Sequence, residues 1–105
     1  MKKALFVILA VAIAMSGCLS QQEYGKSFEN PIIVDAQYEE DGIAKEYDWL
    51  RENGCPNQGG VSEVNSQSFE ENNGQFFDIL EVICNNGEKE RYYFNIDNFF
   101  GNWES

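Results

Sequence analysis

Histidine is absent from the 105-residue chain. With it go the usual general base near neutral pH and the commonest metal ligand, so a Ser–His or Cys–His nucleophile is excluded within this chain. Basic residues are scarce, seven Lys and Arg against 18 Asp and Glu. Such a surface repels nucleic acid and anionic headgroups. There are only three cysteines and no C-x-x-C pair, which argues against a thiolate metal or redox site. No Gly-rich phosphate loop, basic patch or glycosylation sequon is present. The acidic run around Asp41-Gly42 admits a calcium-loop alignment with Gln37, Glu39 and Asp41 first and Asp48 last. That loop requires Asp first and a bidentate Glu last, so no metal ligands are assigned. Catalysis would have to rest on two carboxylates with shifted pKa facing across a cleft. A domain this small has little room for the ~300 Å³ that a substrate pocket usually takes. No catalytic residue and no cofactor is assigned, and an enzyme is not expected.

The longest apolar run, Ala4 to Met15, has 12 residues, well short of the ~20 that a spanning helix needs. Lys2 and Lys3 precede it and Met15-Ser16-Gly17-Cys18 follow, the layout of a secretory signal. These residues resemble the signal of prokaryotic lipoprotein precursors, in which a small residue precedes an invariant cysteine; Met15 departs from the usual Leu. The resemblance covers residues 1–18 and implies a signal peptide at 1–17, with diacylglyceryl and an acyl chain such as palmitate on Cys18. At ~0.8 kcal/mol per buried methylene, more than one chain makes an effectively permanent membrane anchor. The implied location is the cell envelope, facing the periplasm or exterior. Leu19, where Asp would mark inner-membrane retention, implies the outer membrane if the source has one.

Beyond the signal, 88 residues remain, Cys18 to Ser105. A single domain of this size buries only about 60–65% of its unfolded surface and benefits from a staple. Cys55 and Cys84 are the remaining cysteines, and a secreted chain with two most often joins them. Closing that loop contributes about 3–4 kcal/mol on the chain-entropy argument. Five basic residues against 18 acidic leave this part with a formal charge of −13.

Residues 18–30 read as the lipidated cysteine and a flexible, polar tether, and 31–105 as a small α+β domain. Pro31-Ile32-Ile33-Val34 suggests an edge strand. Ile43, Tyr47 and Leu50 fall at i, i+4 and i+7 with Lys45, Glu46, Asp48, Arg51 and Glu52 between them, predicting an amphipathic helix with Asp41 as N-cap and Gly54 as its stop. Trp49 lies off the centre of that stripe, where it either flanks the core edge or is exposed for a partner. Val61 to Glu71 is a polar strand candidate and Phe76 to Cys84 a central strand, apolar on both faces except for Asp78 and Glu81. Arg91 to Asp97 alternates, with Tyr92, Phe94 and Ile96 on one face. Asn72-Asn73-Gly74 and Asn85-Asn86-Gly87 are hairpin turns of one type, because Asn-Gly accepts positive φ. The aromatic tail from Phe99 to Trp103 folds back on the second face or closes the end of the sheet. The expected fold is one amphipathic helix packed on a three- or four-stranded antiparallel meander.

The tail YYFNIDNFFG, Tyr92 to Gly101, resembles the end of small uncharacterised bacterial envelope proteins and carries no function with it. The helix-then-meander layout is similar to the small lipoprotein of the outer-membrane β-barrel assembly machinery, by architecture alone. The expectation is a lipid-anchored accessory domain that binds protein, a basic protein or an envelope assembly component, with Trp49 and Trp103 as contacts. The alternatives are an inhibitor of a cationic, lysozyme-like enzyme that attacks the envelope, and a cation-binding domain. Cys18→Ala should abolish incorporation of labelled fatty acid and leave the chain extractable without detergent; labelling that persists would remove the anchor.

Overall fold

The computed structural model describes residues 23–103. The signal stretch, Cys18 and the first part of the expected tether lie outside the described residues. Four strands and one helix follow in the order β1 (Ile32–Ile33), α1 (Glu39–Asn53), β2 (Val61–Asn72), β3 (Gln75–Cys84) and β4 (Lys89–Asn95). No helix among the described residues is long and apolar enough to cross a membrane.

The meander β2-β3-β4 forms as the turn chemistry dictates. Asn73 and Gly74 both take positive φ, 54° and 80°, and Asn72 pairs with Gln75 across a two-residue turn. The second turn differs from the first. Only Gly87 is left-handed there, while the Asn86 side chain accepts the Glu88 N–H, giving a longer turn closed by Cys84 and Glu88. β3 is central, between β4 and β2.

The sheet is α+β in class but mixed, not wholly antiparallel, because β1 runs parallel to β4 with Ile32 opposite Phe94 and Ile33 opposite Asn95. Two hairpins return β4 to the direction of β2. The stretch through α1 is long enough for a crossover, so β1 enters the far edge in that same direction. Sheet order is β1-β4-β3-β2.

Helix α1 sits differently from its stripe. Gly42, Glu46 and Leu50, at i, i+4 and i+8, are buried, while Ile43 and Tyr47 are only half-buried. The cause is Phe99, fully buried against the helix; a Cβ on Gly42 would fall 2.3–2.5 Å from three of its ring carbons. This close approach turns the Gly42 side of the helix to the core and carries Glu46, expected on the polar face, inward. Asp41 is not the N-cap. Tyr38 holds that position with no side-chain bond, and the tail supplies the partners: Glu39 N–H donates to the Asn102 carbonyl, and Gly101 N–H to a Glu39 carboxyl oxygen. Asp41 stands in the first turn instead, where its charge suits the helix dipole. The helix ends before Gly54, whose N–H donates to the Leu50 carbonyl. Here glycine supplies space and not handedness, since a Cβ would meet Val61 at 2.6 Å and the Leu50 oxygen at 2.8 Å.

The disulfide Cys55–Cys84 ties the end of α1 to the end of β3, with Cα atoms 5.8 Å apart. Cys55 has φ 50°, and its N–H donates to the Tyr92 hydroxyl. On the opposite face of the sheet, Phe28 packs edge-on against Phe77 and Tyr93, each at 4.9 Å between ring centroids. Within the stretch read as a tether, residues 24–30 therefore belong to the domain. Tyr93 N–H donates to the Gly25 carbonyl, and Lys26 pairs with Glu90. The aromatic tail closes the end of the layer between helix and sheet, while Phe28 takes the second face.

Gly42→Ala should lower stability by about 1–3 kcal/mol in urea unfolding, overpacking outweighing alanine's better helix propensity. Unchanged or raised stability would mean that the Phe99 ring can step aside.

Candidate functional site

Three places merit functional scrutiny: an open cleft, a buried pair of carboxyl groups and an exposed end of the sheet. The cleft, at about 420 Å³ larger than expected for a chain of this size, is lined by Glu23, Lys26, Pro56, Asn57, Gln58, Glu90 and Tyr92. Four of these, Lys26, Gln58, Glu90 and Tyr92, are engaged with one another or with their neighbours. Lys26 pairs with Glu90 and lies 4.9 Å over the Tyr92 ring, while the Gln58 amide donates to Glu88 and Glu90 at 3.2 and 3.1 Å. The Tyr92 hydroxyl already accepts from Cys55 N–H. These contacts clamp the N-terminal segment and the 55–60 loop onto β4, a structural task that occupies each of the groups named.

The buried pair is Glu46 of α1 and Asp78 of β3, 0% and 7% exposed. Asp78 shares its face of β3 with Leu80 and Val82, beneath the helix. No donor reaches either Glu46 oxygen. Ionised carboxylates only accept, so the pair holds no donor until a proton is added. That proton belongs on Glu46. Desolvation pushes its pKa up from 4.5 to about 10, and the hydrogen bond and negative charge of Asp78 and the charge of Glu39 add to the shift. At neutral pH Glu46 is a neutral acid that can donate to Asp78. Facing carboxyls are what acid–base chemistry uses, but these two are sealed between helix and sheet.

The third place lies along β2 and the tail. Phe69, Phe76 and Phe100 stack with ring centroids 4.5–5.9 Å apart and planes within 15–22°. Phe69 is 48% and Phe100 43% exposed. Trp103, further along the tail, is 59% exposed, the most open large hydrophobic side chain among the described residues. Trp49, the other tryptophan singled out as a contact, is half-buried and meets Tyr24, Tyr92 and Phe94 edge-on at 6.2, 5.4 and 5.8 Å. It forms a wall of the core, far more than a free surface. The structure thus does not bring Trp49 and Trp103 together into one ring cluster. Gln37, Glu39, Asp41 and Asp48 cannot wrap an ion as a loop, since 39–53 is helical, and among the described residues no three His, Cys, Asp or Glu gather to hold a metal.

Sequence reasoning missed Glu46 and Phe69. Glu46 stands at i+3 from Ile43 and i−4 from Leu50, within the apolar arc, and Asp78 interrupts an otherwise apolar face. Together they were the available signal for a facing pair. Phe69 is the lone aromatic in a polar strand.

The unfolded chain ionises Glu46 with the ordinary value of 4.5, whereas the folded chain retains the proton to about 10. Folding therefore takes up a proton across that window. The stability this group permits is complete below 4.5 and declines as pH rises toward 10, by up to about 1.4 kcal/mol per pH unit. Thermal melts should show the wild type more stable at pH 5 than at pH 8, and Glu46→Gln should flatten the difference and raise stability at pH 8. Parallel pH profiles for the two proteins would show that Glu46 is ionised in the fold.

Comparisons of the chain with protein-family models, curated proteins and solved structures find no match.

Proposed function

We propose that this chain is a lipid-anchored, non-enzymatic cell-envelope domain that binds another protein. The observation that carries the reading is the exposed aromatic stack of Phe69, Phe76 and Phe100, with Trp103 beside it in sequence. Large exposed rings are costly to leave in water and are over-represented where proteins meet. Phe76 underpins the stack from β3, so the rings are held in place before a partner arrives and little ordering entropy is lost on binding. The anchor implied at Cys18 would confine the domain to a membrane surface. In the cleft Lys26, Gln58, Glu90 and Tyr92 are spent on one another, and the carboxyl pair is sealed in the core, which supports binding over catalysis.

A second reading, inhibition of a cationic, lysozyme-like enzyme, is favoured by the exposed carboxylates of Glu40, Asp41, Asp48 and Glu52 on α1 and Glu63, Glu70 and Glu71 on β2. Such binding would be fast and salt-sensitive. The aromatic stack distinguishes the two, because contacts through it resist salt.

The full chain, immobilised in zwitterionic nanodiscs, should retain envelope proteins through a high-salt wash. Phe69→Ser with Phe100→Ser should cut that retention at least tenfold without altering the circular dichroism spectrum. Retention unaffected by the double substitution would refute the role of the stack. Release by salt together with inhibition of a lysozyme at micromolar concentration would establish the second reading in its place.

A further inference from the structure

The two edges of the sheet are finished in opposite ways. At one edge β1 is only two residues long, and the segment before it wraps over β4, with Tyr93 N–H donating to the Gly25 carbonyl. At the other edge β2 runs for twelve residues, nine of them exposed, and pairs only with β3 among the described residues. Proteins usually blunt such an edge with Pro, Lys, shortness or irregularity. β2 contains no Pro and no Lys, and its irregularities are confined to its beginning, between Val61 and Ser66. From Ser66 to Asn72 the ladder is regular.

The turn determines which groups of that stretch point outward. Across a two-residue turn Asn72 and Gln75 form a hydrogen-bonded pair, so the next pair, Glu71 and Phe76, directs its N–H and C=O away from each other. Phe76 conforms, its N–H donating to Asp97 and its carbonyl accepting from Ile96 on the β4 side. By alternation the outward N–H and C=O groups on β2 belong to Glu71, Phe69 and Gln67. The side chains of these three lie on the helix side of the sheet, and Phe69 at their centre is one of the two exposed rings of the aromatic stack.

We propose that the outer edge of β2, Ser66 to Asn72, takes an extended Lys/Arg-bearing segment of a partner protein as a fifth strand. The proposal deepens the protein-binding reading above and rests on it. Main-chain bonds to Gln67, Phe69 and Glu71 supply the register, and an apolar side chain set opposite Phe69 packs on its ring. Charge selects the occupant. Glu70 and Glu71 make no ion pair among the described residues, one on each face of the strand, and the chain beyond the signal carries a formal charge of −13. A second copy pairing through the same edge would bring these acids together, whereas a basic strand places cations against them.

The test uses the full chain in zwitterionic micelles and a blocked peptide as long as β2 that alternates Lys with Val and Thr. A control peptide of equal charge carries Pro in place of Val. Hydrogen exchange at the Gln67, Phe69 and Glu71 amides should slow at least tenfold with the alternating peptide and not with the control. Ser68 and Glu70, already bonded to β3, should change little. Gln67→Pro, which removes one outward N–H at an edge position that tolerates proline, should weaken binding at least tenfold while Gln67→Ala does not. Equal protection by both peptides would overturn the proposal, as would self-association of the chain through this edge. If Gln67→Pro leaves capture of an envelope protein intact while Phe69→Ser with Phe100→Ser removes it, strand addition fails and the protein-binding reading survives.

Discussion

The Phe99 ring lies where a Cβ on Gly42 would have to be, and the seating of the helix on the sheet follows from that contact. A ring so close to the helix axis demands glycine. Once it is there, Glu46 and Leu50 turn inward with Gly42 and the flanking Ile43 and Tyr47 move to the margin. The same tail that delivers Phe99 bonds the first turn of the helix through Gly101 and Asn102 and sets Phe100 on Phe76 and Phe69. Core, helix cap and exposed aromatic stack are therefore consequences of one close packing event near the chain's end.

That seating has an electrostatic consequence. Glu46 arrives in a place where its charge cannot be solvated, opposite another carboxyl, and the fold accommodates it by keeping it protonated. An acid in this position weakens the fold at alkaline pH and spares it at acid pH. The other acids among the described residues are exposed or half-buried, and few cations answer them. The few basic residues with described ion pairs are spent locally, Lys26 on Glu90, Arg51 on Asp48 and Arg91 near Glu81. Glu63, Glu70 and Glu71 of β2 make no ion pair among the described residues.

Much of the fold was legible because it depends on neighbours in sequence. Asn73-Gly74 accepts positive φ at both positions and lies between two strand-like runs, so the β2-β3 hairpin could be read directly. The second Asn-Asn-Gly resembled it in letters, but Asn86 satisfied the Glu88 N–H instead of turning left-handed, so a different turn resulted. The alternation of Tyr92, Phe94 and Ile96, the edge position of Ile32 and Ile33 behind Pro31, and the Cys55–Cys84 bridge were legible for the same reason: periodicity, a missing N–H and a count of thiols are local facts. Of the candidate contacts, Trp103 stands exposed, while Trp49, whose place beside the helix stripe also allowed a core-edge position, is taken up by three rings.

Residue type and short-range geometry fix the set of elements and turns, the acidic surface and the shortage of groups for chemistry. Tertiary structure alone decided the rotation of the helix, the parallel entry of β1, the wrapping of residues 24–30 over one edge and the openness of the other. Each of these rests on contacts between residues far apart in the chain, such as Lys26 with Glu90, Gln37 with Asn102 and Gly42 with Phe99. A side chain's neighbours in space compete for the same volume and the same donors, and that competition is settled only when the chain has folded.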